Sequence, residues 1–547
     1  MDIKSLGLDK KYNALKKERD KKIELWKEIS EFIAPNMGWF DNENPNSENR
    51  RGEEIFDSTV RRALSTLQAG MQGGLTSPSK SWLQISISDP NLAHHPDVML
   101  WADEVTNILI SIFSQSNIYN RLHGAYGEVA AFGTAALYIE EDQARIINSR
   151  LLTAGEYVAS FDAIGLPNAF GREFWMSGLD MEMNFGKNNI PEKIRSANEN
   201  GREHQWWKIY QLIAEDNIGY PDRQLTRFPF YSIYWCDEQD EHLLLSGYEE
   251  FPVLIPRWDV IGNDYYGYGP GEMALPESKT LQTMRLHFFE ADELSIKPPV
   301  VMHQNLIAER IQIRPGGVYP VSDINHGAKA LYQVQPNFDG HLHAITDSRR
   351  LIEQIFFADL FLMLASMEAD RGVMTATEVS VRQQEKMQLL GPVVERLEYE
   401  LLNPLIHRTY MIAMRRGLIP TPPEIIYGQD IRIEYVSMLA IAQKASSFSG
   451  INDLLALTAG LAGIDQYVVD KINGDEIIDQ FARISGIPAS VINRPEVVAM
   501  IREQRQQAMQ QQQEMEQMQQ MAQMAQSGGA GMKDIAQADA MLGGMQQ

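Results

Sequence analysis

Residues 61–82 read Arg61-Arg62-Ala63-Leu64-Ser65-Thr66-Leu67-Gln68-Ala69-Gly70-Met71-Gln72-Gly73-Gly74-Leu75-Thr76-Ser77-Pro78-Ser79-Lys80-Ser81-Trp82. Together with Phe56 and Val60 just upstream, Leu64, Leu67 and Met71 mark one face of a helix, and Gly73-Gly74 predict its end. Directly after, Leu83, Ile85 and Ile87 alternate with Gln84, Ser86 and Ser88, the pattern of a half-buried strand. Between them, Gly74 to Ser81 has the outline of a phosphate-binding loop. That loop needs Gly immediately before its Lys and leads from a strand into a helix. Here Ser79 precedes Lys80, Pro78 removes an amide donor, and the order is helix to strand. The segment therefore reads as a structural turn.

Upstream, Tyr12, Leu15, Arg19, Lys22, Trp26, Ile29 and Ile33 recur at helical steps until Pro35 stops the run, and a polar loop covers Asp41 to Arg51. Downstream, Val98, Trp101, Val105, Ile108 and Ile112 form a third amphipathic helix. From about 135 to 260 short β-rich runs appear (Ala136–Glu140, Glu156–Phe161, Phe170–Met176, Trp206–Ile213, Phe230–Trp235), with Asn184 to Arg202 read as an exposed loop. Leu281, Met284, Phe288 and Ala291 lie on one face of a helix from Glu272 to Ile296, ended by Pro298-Pro299. Residues 300–336 read as short strands and turns, with Arg314-Pro315-Gly316-Gly317 arranged for a type II turn. A second long helix spans His341 to Ala365, and a polar break, Ser366 to Met374, follows. Thr375-Ala376-Thr377-Glu378 is a capping box. It opens a helix of about forty residues, kinked at Gly391-Pro392 and Asn403-Pro404 and closed by Arg415, Arg416, Gly417 and Pro420. Residues 430–500 read as mostly short helices. Gln504 to Gln526 holds twelve Gln and five Met, with Met515, Met518, Met521 and Met524 in a helical stripe.

The chain has 547 residues, 44% apolar and 22% charged, which excludes disorder over most of its length. The balance of 49 Lys+Arg against 73 Asp+Glu, a formal charge of −24, argues against a protein that grips nucleic acid tightly. The single Cys236 excludes a disulfide framework and a Cys-rich zinc site. The lysine-rich N-terminus lacks the apolar run of a secretory signal. The densest apolar stretch, Leu351 to Ala365, is interrupted by Asp359 and falls short of the roughly 20 residues of a membrane span, so a soluble protein is expected. Gly267-Tyr268-Gly269-Pro270-Gly271 lacks a third Gly at the offset a dinucleotide fingerprint needs and reads as a flexible helix entry. His94-His95 and His341-Leu342-His343 lack the spacing that sets two imidazoles on one helical face. With no Gly-x-Ser-x-Gly elbow and no compact acidic cluster, no catalytic, metal-binding or cofactor-binding residues stand out. The long apolar-faced helices fit either one large monomeric core or self-packing copies, and periodicity alone leaves both open.

Three blocks carry a resemblance. The first is Arg61 to Trp82. The second is Thr375-Ala376-Thr377-Glu378-Val379, Glu385-Lys386, Leu390-Gly391-Pro392-Val393, Glu400-Leu401-Leu402 and Pro404-Leu405-Ile406. The third is Gly267 to Gly271, leading to Lys297-Pro298-Pro299. In this order, over about residues 10 to 420, the chain resembles the head-to-tail connector (portal) proteins of short-tailed bacteriophages. The resemblance implies a mixed α/β, mainly α, portal-type fold with wing, stem, clip and crown, assembled as a ring, usually of twelve copies, around a central channel. It implies residues 1–270 as the N-terminal part of the wing, 271–297 as the first stem helix, 298–340 as the clip and 341–365 as the second stem helix. Residues 366–374 would be the channel loop, 375–419 the long wing helix, 420–503 the crown, and 504–547 a helix that could extend the channel as a barrel, with a flexible tail. Met367, Glu368 and Arg371 are the expected DNA-facing residues of the loop, and Arg314, Pro315, Gly316 and Tyr319 the partner-facing residues of the clip.

The implied partners are the capsid protein, a separate packaging ATPase (terminase), tail adaptor and tail tube proteins, and double-stranded DNA passing through the channel. The implied place is the capsid portal vertex of the virion, after synthesis in the bacterial host cytoplasm. No enzyme activity, cofactor or membrane span is expected. Two other readings stand beside this one: an acidic helical scaffold, suggested by the Gln/Met tail, and a nucleotide-dependent phage enzyme, suggested only by Gly74 to Ser81. An acidic ring suits a conduit, because like charge repels phosphate where DNA must slide.

Overall fold

The computed structural model describes residues 7–40, 52–89, 95–216, 225–239, 241–296, 300–301, 329–330, 338–362, 389–428, 431–435 and 497–512, together with a few short pieces. It is a mixed helix-and-sheet structure. Helices α1 (Leu8–Phe32), α2 (Thr59–Leu75), α3 (Pro96–Gln115) and α4 (Ile118–Phe132) open the chain, with strand β1 (Leu83–Ile87) between α2 and α3. In α1 the buried Tyr12, Leu15, Arg19, Trp26 and Ile29 follow the predicted period. Helix α2 runs through both glycines to Leu75 instead of ending at them. Gly74 and Leu75 are buried inside it, so packing overrides the breaker signal. Helix α4, not foreseen from the sequence, is buried along almost its whole length and therefore lacks the apolar-polar contrast that reveals a helix.

The central region is an antiparallel meander of five strands, β4 (Tyr157–Phe161), β5 (Pro167–Ser177), β6 (Trp206–Glu215), β7 (Phe230–Cys236) and β8 (Leu244–Tyr248), paired in chain order. Strand alternation sorts its side chains. Leu212, Ala214, Tyr231, Ile233 and Trp235 face Leu8, Tyr12 and Leu15 of α1. Trp207, Ile209 and Cys236 face the other way, against helices α5 (Gly178–Phe185) and α6 (Glu192–Glu199). Helix α6 corrects the reading of 184–202 as an exposed loop: Ile190 and Ile194 are fully buried, an apolar anchor too sparse to register as a pattern. A second sheet, ordered β3-β2-β9, joins β2 (Ala136–Asp142), β3 (Ile146–Leu152) and β9 (Val253–Leu254).

Beyond it, α7 (Pro270–Ile296) and α8 (Phe338–Ile355) pack on each other, and between them β10 (Val300–Val301) pairs with β11 (Lys329–Ala330). Helix α8 stops ten residues before the predicted end. Phe357 takes a left-handed φ of 53°, costly for a residue with a side chain, and helix resumes at 358–362. The later long helix is described from 389. It is helical through Gly391-Pro392, then forms a π-turn (Glu398–Leu402), then α9 (Asn403–Arg415). Pro404 has no N–H to offer the carbonyl of Glu400, so the irregularity expected at Asn403-Pro404 takes the form of a widened turn. Gly417, at a φ of 69°, ends the helix by letting Leu418 N–H reach the carbonyl of Ala413 at 3.0 Å. Strand β12 (Ile431–Tyr435) adds a strand to the mostly helical reading of 430–500, and it pairs antiparallel with the distant β1, from Leu83↔Tyr435 to Ile87↔Ile431. One large core links residues of α1 to α4, β2, β3, α7, α8 and the 390–413 helix.

Candidate functional site

The predicted clip residues Arg314, Pro315, Gly316 and Tyr319, the predicted channel-loop residues Met367, Glu368 and Arg371, and the capping box at 375–378 lie outside the described residues. The described site is the helix pair that brackets the clip residues and precedes the channel loop, with the clamps that hold it.

Rings Phe288 and Phe338 meet at 5.3 Å, whereas Gln282 and Arg349 converge on Asp57. Counting back along α7 matches counting forward along α8, so the two helices are antiparallel. Gln282, almost fully buried, accepts the N–H groups of Phe56 and Asp57 at 2.7 Å each and donates to the carbonyl of Asp57 at 3.0 Å. Asp57 accepts from Thr59 N–H at 2.9 Å and from Nε and Nη2 of Arg349 at 3.0 and 2.7 Å. Burial pushes the Asp57 carboxyl up, but these bonds outweigh it and hold it below the usual carboxylate range. The strand of chain ahead of α2 thus locks α7 to α8. Along α8, Ile345, Ser348 and Ile352 are buried, while Leu342 and Leu351 are exposed.

The base of α7 is set by backbone packing. The glycines at 267, 269 and 271 press against the end of α4: an added Cβ would lie 2.4 Å from the Gly133 oxygen, 2.8 Å from the Val129 oxygen and 2.1 Å from the Ala131 oxygen, respectively. Gly267 N–H also donates to Thr134 Oγ1 at 2.7 Å. The motif is therefore a close-packed joint, which corrects the reading of a flexible entry.

The long helix is riveted to the β region by arginine–carboxylate pairs. Arg257 meets Glu400 of the π-turn at 2.6 Å, with both side chains buried, and lies 3.9 Å over the Phe161 ring. Arg408 contacts Glu250 at 3.3 Å, Arg415 contacts Glu250 at 2.7 Å, and Arg416 contacts Glu141 at 2.9 Å. None of these clamps carries a local motif, since their partners stand more than 140 positions apart. The one readable hint is an arginine or glutamine inside an otherwise apolar stretch.

In the turn at 76–81, Thr76 and Tyr126 hydroxyls meet at 3.0 Å in the core, and Trp82 donates to Tyr119 at 3.1 Å while stacking on Phe113. The stretch serves packing. Among the described residues no group of three His, Cys, Asp or Glu is placed to hold a metal ion, and no helix is long and apolar enough to cross a membrane. Cys236 is buried, and burial pushes its thiol up, away from the reactive thiolate. What the described geometry supplies is a stiff helix pair on a braced base.

Comparison with known proteins carries the match beyond residue 420. The model of the family described as bacteriophage head to tail connecting protein matches residues 6–492. The chain is 35% identical over 500 residues to a probable portal protein of Bordetella phage BPP-1, covering 90% of each chain. It is 33% identical over 497 residues to the portal protein of Salmonella phage epsilon15, covering 90% of this chain and 89% of the relative. Among solved structures, it is similar to a chain of the neck of an empty gene transfer agent particle, at a TM-score of 0.40 and 12% identity over 84% of this chain and 98% of that one. A chain of the native gene transfer agent virion gives a TM-score of 0.34 and 13% identity over 79% and 94%. On the extent of the family match and the identity to both phage relatives, this chain belongs to the bacteriophage head-to-tail connecting protein family.

Proposed function

We propose that this chain, a structural portal protein of the phage head–tail junction, forms a ring of about twelve copies around a central channel at one capsid vertex. Double-stranded DNA enters through that channel during packaging and leaves through it on infection. In this reading α7 and α8 are the stem, residues 298–340 the clip that meets first the packaging ATPase and then the tail proteins, and 366–374 the channel loop. The helix from 375 to 419 belongs to the wing with residues 1–270, and 420–503 form the crown.

The observation that carries the reading is the braced α7–α8 pair. One side is buried on α1, α2 and α4, and the rest leaves Met273, Phe289, Leu342 and Leu351 bare. Exposed apolar surface on a rigid helix pair supports side-by-side packing of identical copies. Negative-stain microscopy and native mass spectrometry of the full-length chain test it. Closed rings are expected, and a strict monomer at every concentration would overturn the proposal.

A further inference from the structure

The start of α2 and the middles of α7 and α8 line an open cleft of about 270 Å³ whose walls include Phe56, Asp57, Thr59, Arg62, Arg285 and Arg349. Three arginines from three helices line this space, two of them, Arg285 and Arg349, beside the buried Asp57 carboxylate, in a chain whose formal charge is −24. The carboxylate is already in use: Oδ1 of Asp57 takes Thr59 N–H, and Oδ2 takes Arg349 twice. Arg285 Nε lies 3.6 Å from the same oxygen, beyond hydrogen-bond reach, and is buried with no hydrogen-bond partner. Otherwise its guanidinium rests on the Phe289 and Phe288 rings, at 4.7 and 5.8 Å. Arg62, with its side chain 71% exposed, reaches outward to Glu353 at 3.0 Å and is free to turn inward, because a surface pair of this kind is weak. A buried donor without an acceptor is costly, so the cleft lacks negative charge rather than apolar filling.

We infer that this cleft is a binding site for a phosphate group. Arg285 and Arg62 would donate to its oxygens, and Arg349, held by Asp57, would form the floor. The positive end of the 17-residue α2 opens on the same space. A phosphate group, monoester or backbone diester, offers tetrahedrally placed oxygens and at least one full negative charge to converging guanidinium forks, whereas a carboxylate offers two oxygens in one plane. The phosphate can come from the DNA backbone or from a free phosphate or phosphomonoester. The site itself does not depend on the ring, so loss of one proposal leaves the other standing.

The test is calorimetric titration of the full-length chain at low salt with inorganic phosphate, beside acetate, on wild type, Arg285→Ala and Arg62→Ala. One phosphate per chain is expected, with binding about tenfold weaker or more in each variant and no saturable binding of acetate. Arg62→Ala removes an exposed side chain, so its result stands even if Arg285→Ala disturbs folding, which thermal melting reports. Absence of saturable phosphate binding, unchanged binding in both variants, or equal affinity for acetate overturns the site. Displacement of bound phosphate by a short DNA duplex supports the backbone as its source, and failure to displace supports free phosphate.

Discussion

Gly271 and Gly73 show how one residue type carries opposite roles. At Gly271 a Cβ would lie 2.1 Å from the backbone oxygen of Ala131, which cannot move without shifting α4, whereas at Gly73, exposed in α2, a Cβ meets nothing within 4 Å. Gly271→Ala is expected to destabilise by about 3 kcal/mol or prevent folding, and Gly73→Ala to stabilise by about 0.5–1 kcal/mol, both read by chemical denaturation. Equal effects would remove the close-packed joint. Glu128 is a second informative residue. Burial pushes its carboxyl up from 4.5 to about 7, against bonds from Thr153 Oγ1 and Ala154 N–H at 2.7 and 3.2 Å. A raised carboxyl binds its proton more tightly folded than unfolded. Its contribution is therefore full below pH 4.5 and is lost as pH rises through about 7. Relative to wild type, Glu128→Gln should gain melting temperature across that window, and a flat difference would mean that Glu128 titrates normally. None of this was legible from the sequence, because a glutamate in Gly-Glu-Val-Ala reads as surface until α4 is seen to be enclosed.

At the scale of elements, periodicity located α1, α2, α3 and α7, because each has one wet and one dry side, and β-rich composition located the main strands, β4 among them although it is buried at every position. Periodicity failed where that contrast vanishes, in α4, which is buried continuously from Ala125 to Phe132, and where a strand is short, as in β9. It also missed the break at Phe357 and strand β12, since both are decided by distant neighbours. The π-turn at 398–402 is the clearest case. Pro404 announced an irregularity, but only the fold reveals its use, which is to set Glu400 against buried Arg257. Removing one member of a buried pair strands the other, so Glu400→Ala is expected to cost about 3–5 kcal/mol. A loss below 1 kcal/mol in urea titration would show that the pair is not a main anchor of the long helix.

For the molecule as a whole, the described bracing runs inward, while the described helix at 497–512 is exposed along nearly its full length. With Met500 and Met509 bare, that helix adds nothing to the described core. In the ring reading the contacts between copies belong to the helix pair and the wing, so deleting residues 504–547 is expected to leave rings intact under the microscope. Loss of every oligomer in that truncation would favour the acidic scaffold instead. The candidate site follows the same division. Its bracketing helices were readable from their apolar faces, but the clamp of Asp57, Gln282 and Arg349 was not.

The sequence by itself determined the places of α1, α2, α3, α7 and most central strands, the absence of any local motif for catalysis, and, through three ordered blocks, the family. Those properties are local: period, turn chemistry and spacing need no partner. Only the tertiary structure decided what the blocks are for. It turned the glycines at 267–271 into a backbone joint, brought Arg62, Arg285 and Arg349 around one cleft, and paired β1 with β12. Each depends on groups far apart in the chain meeting within a few ångströms, a distance that spacing along the sequence does not encode.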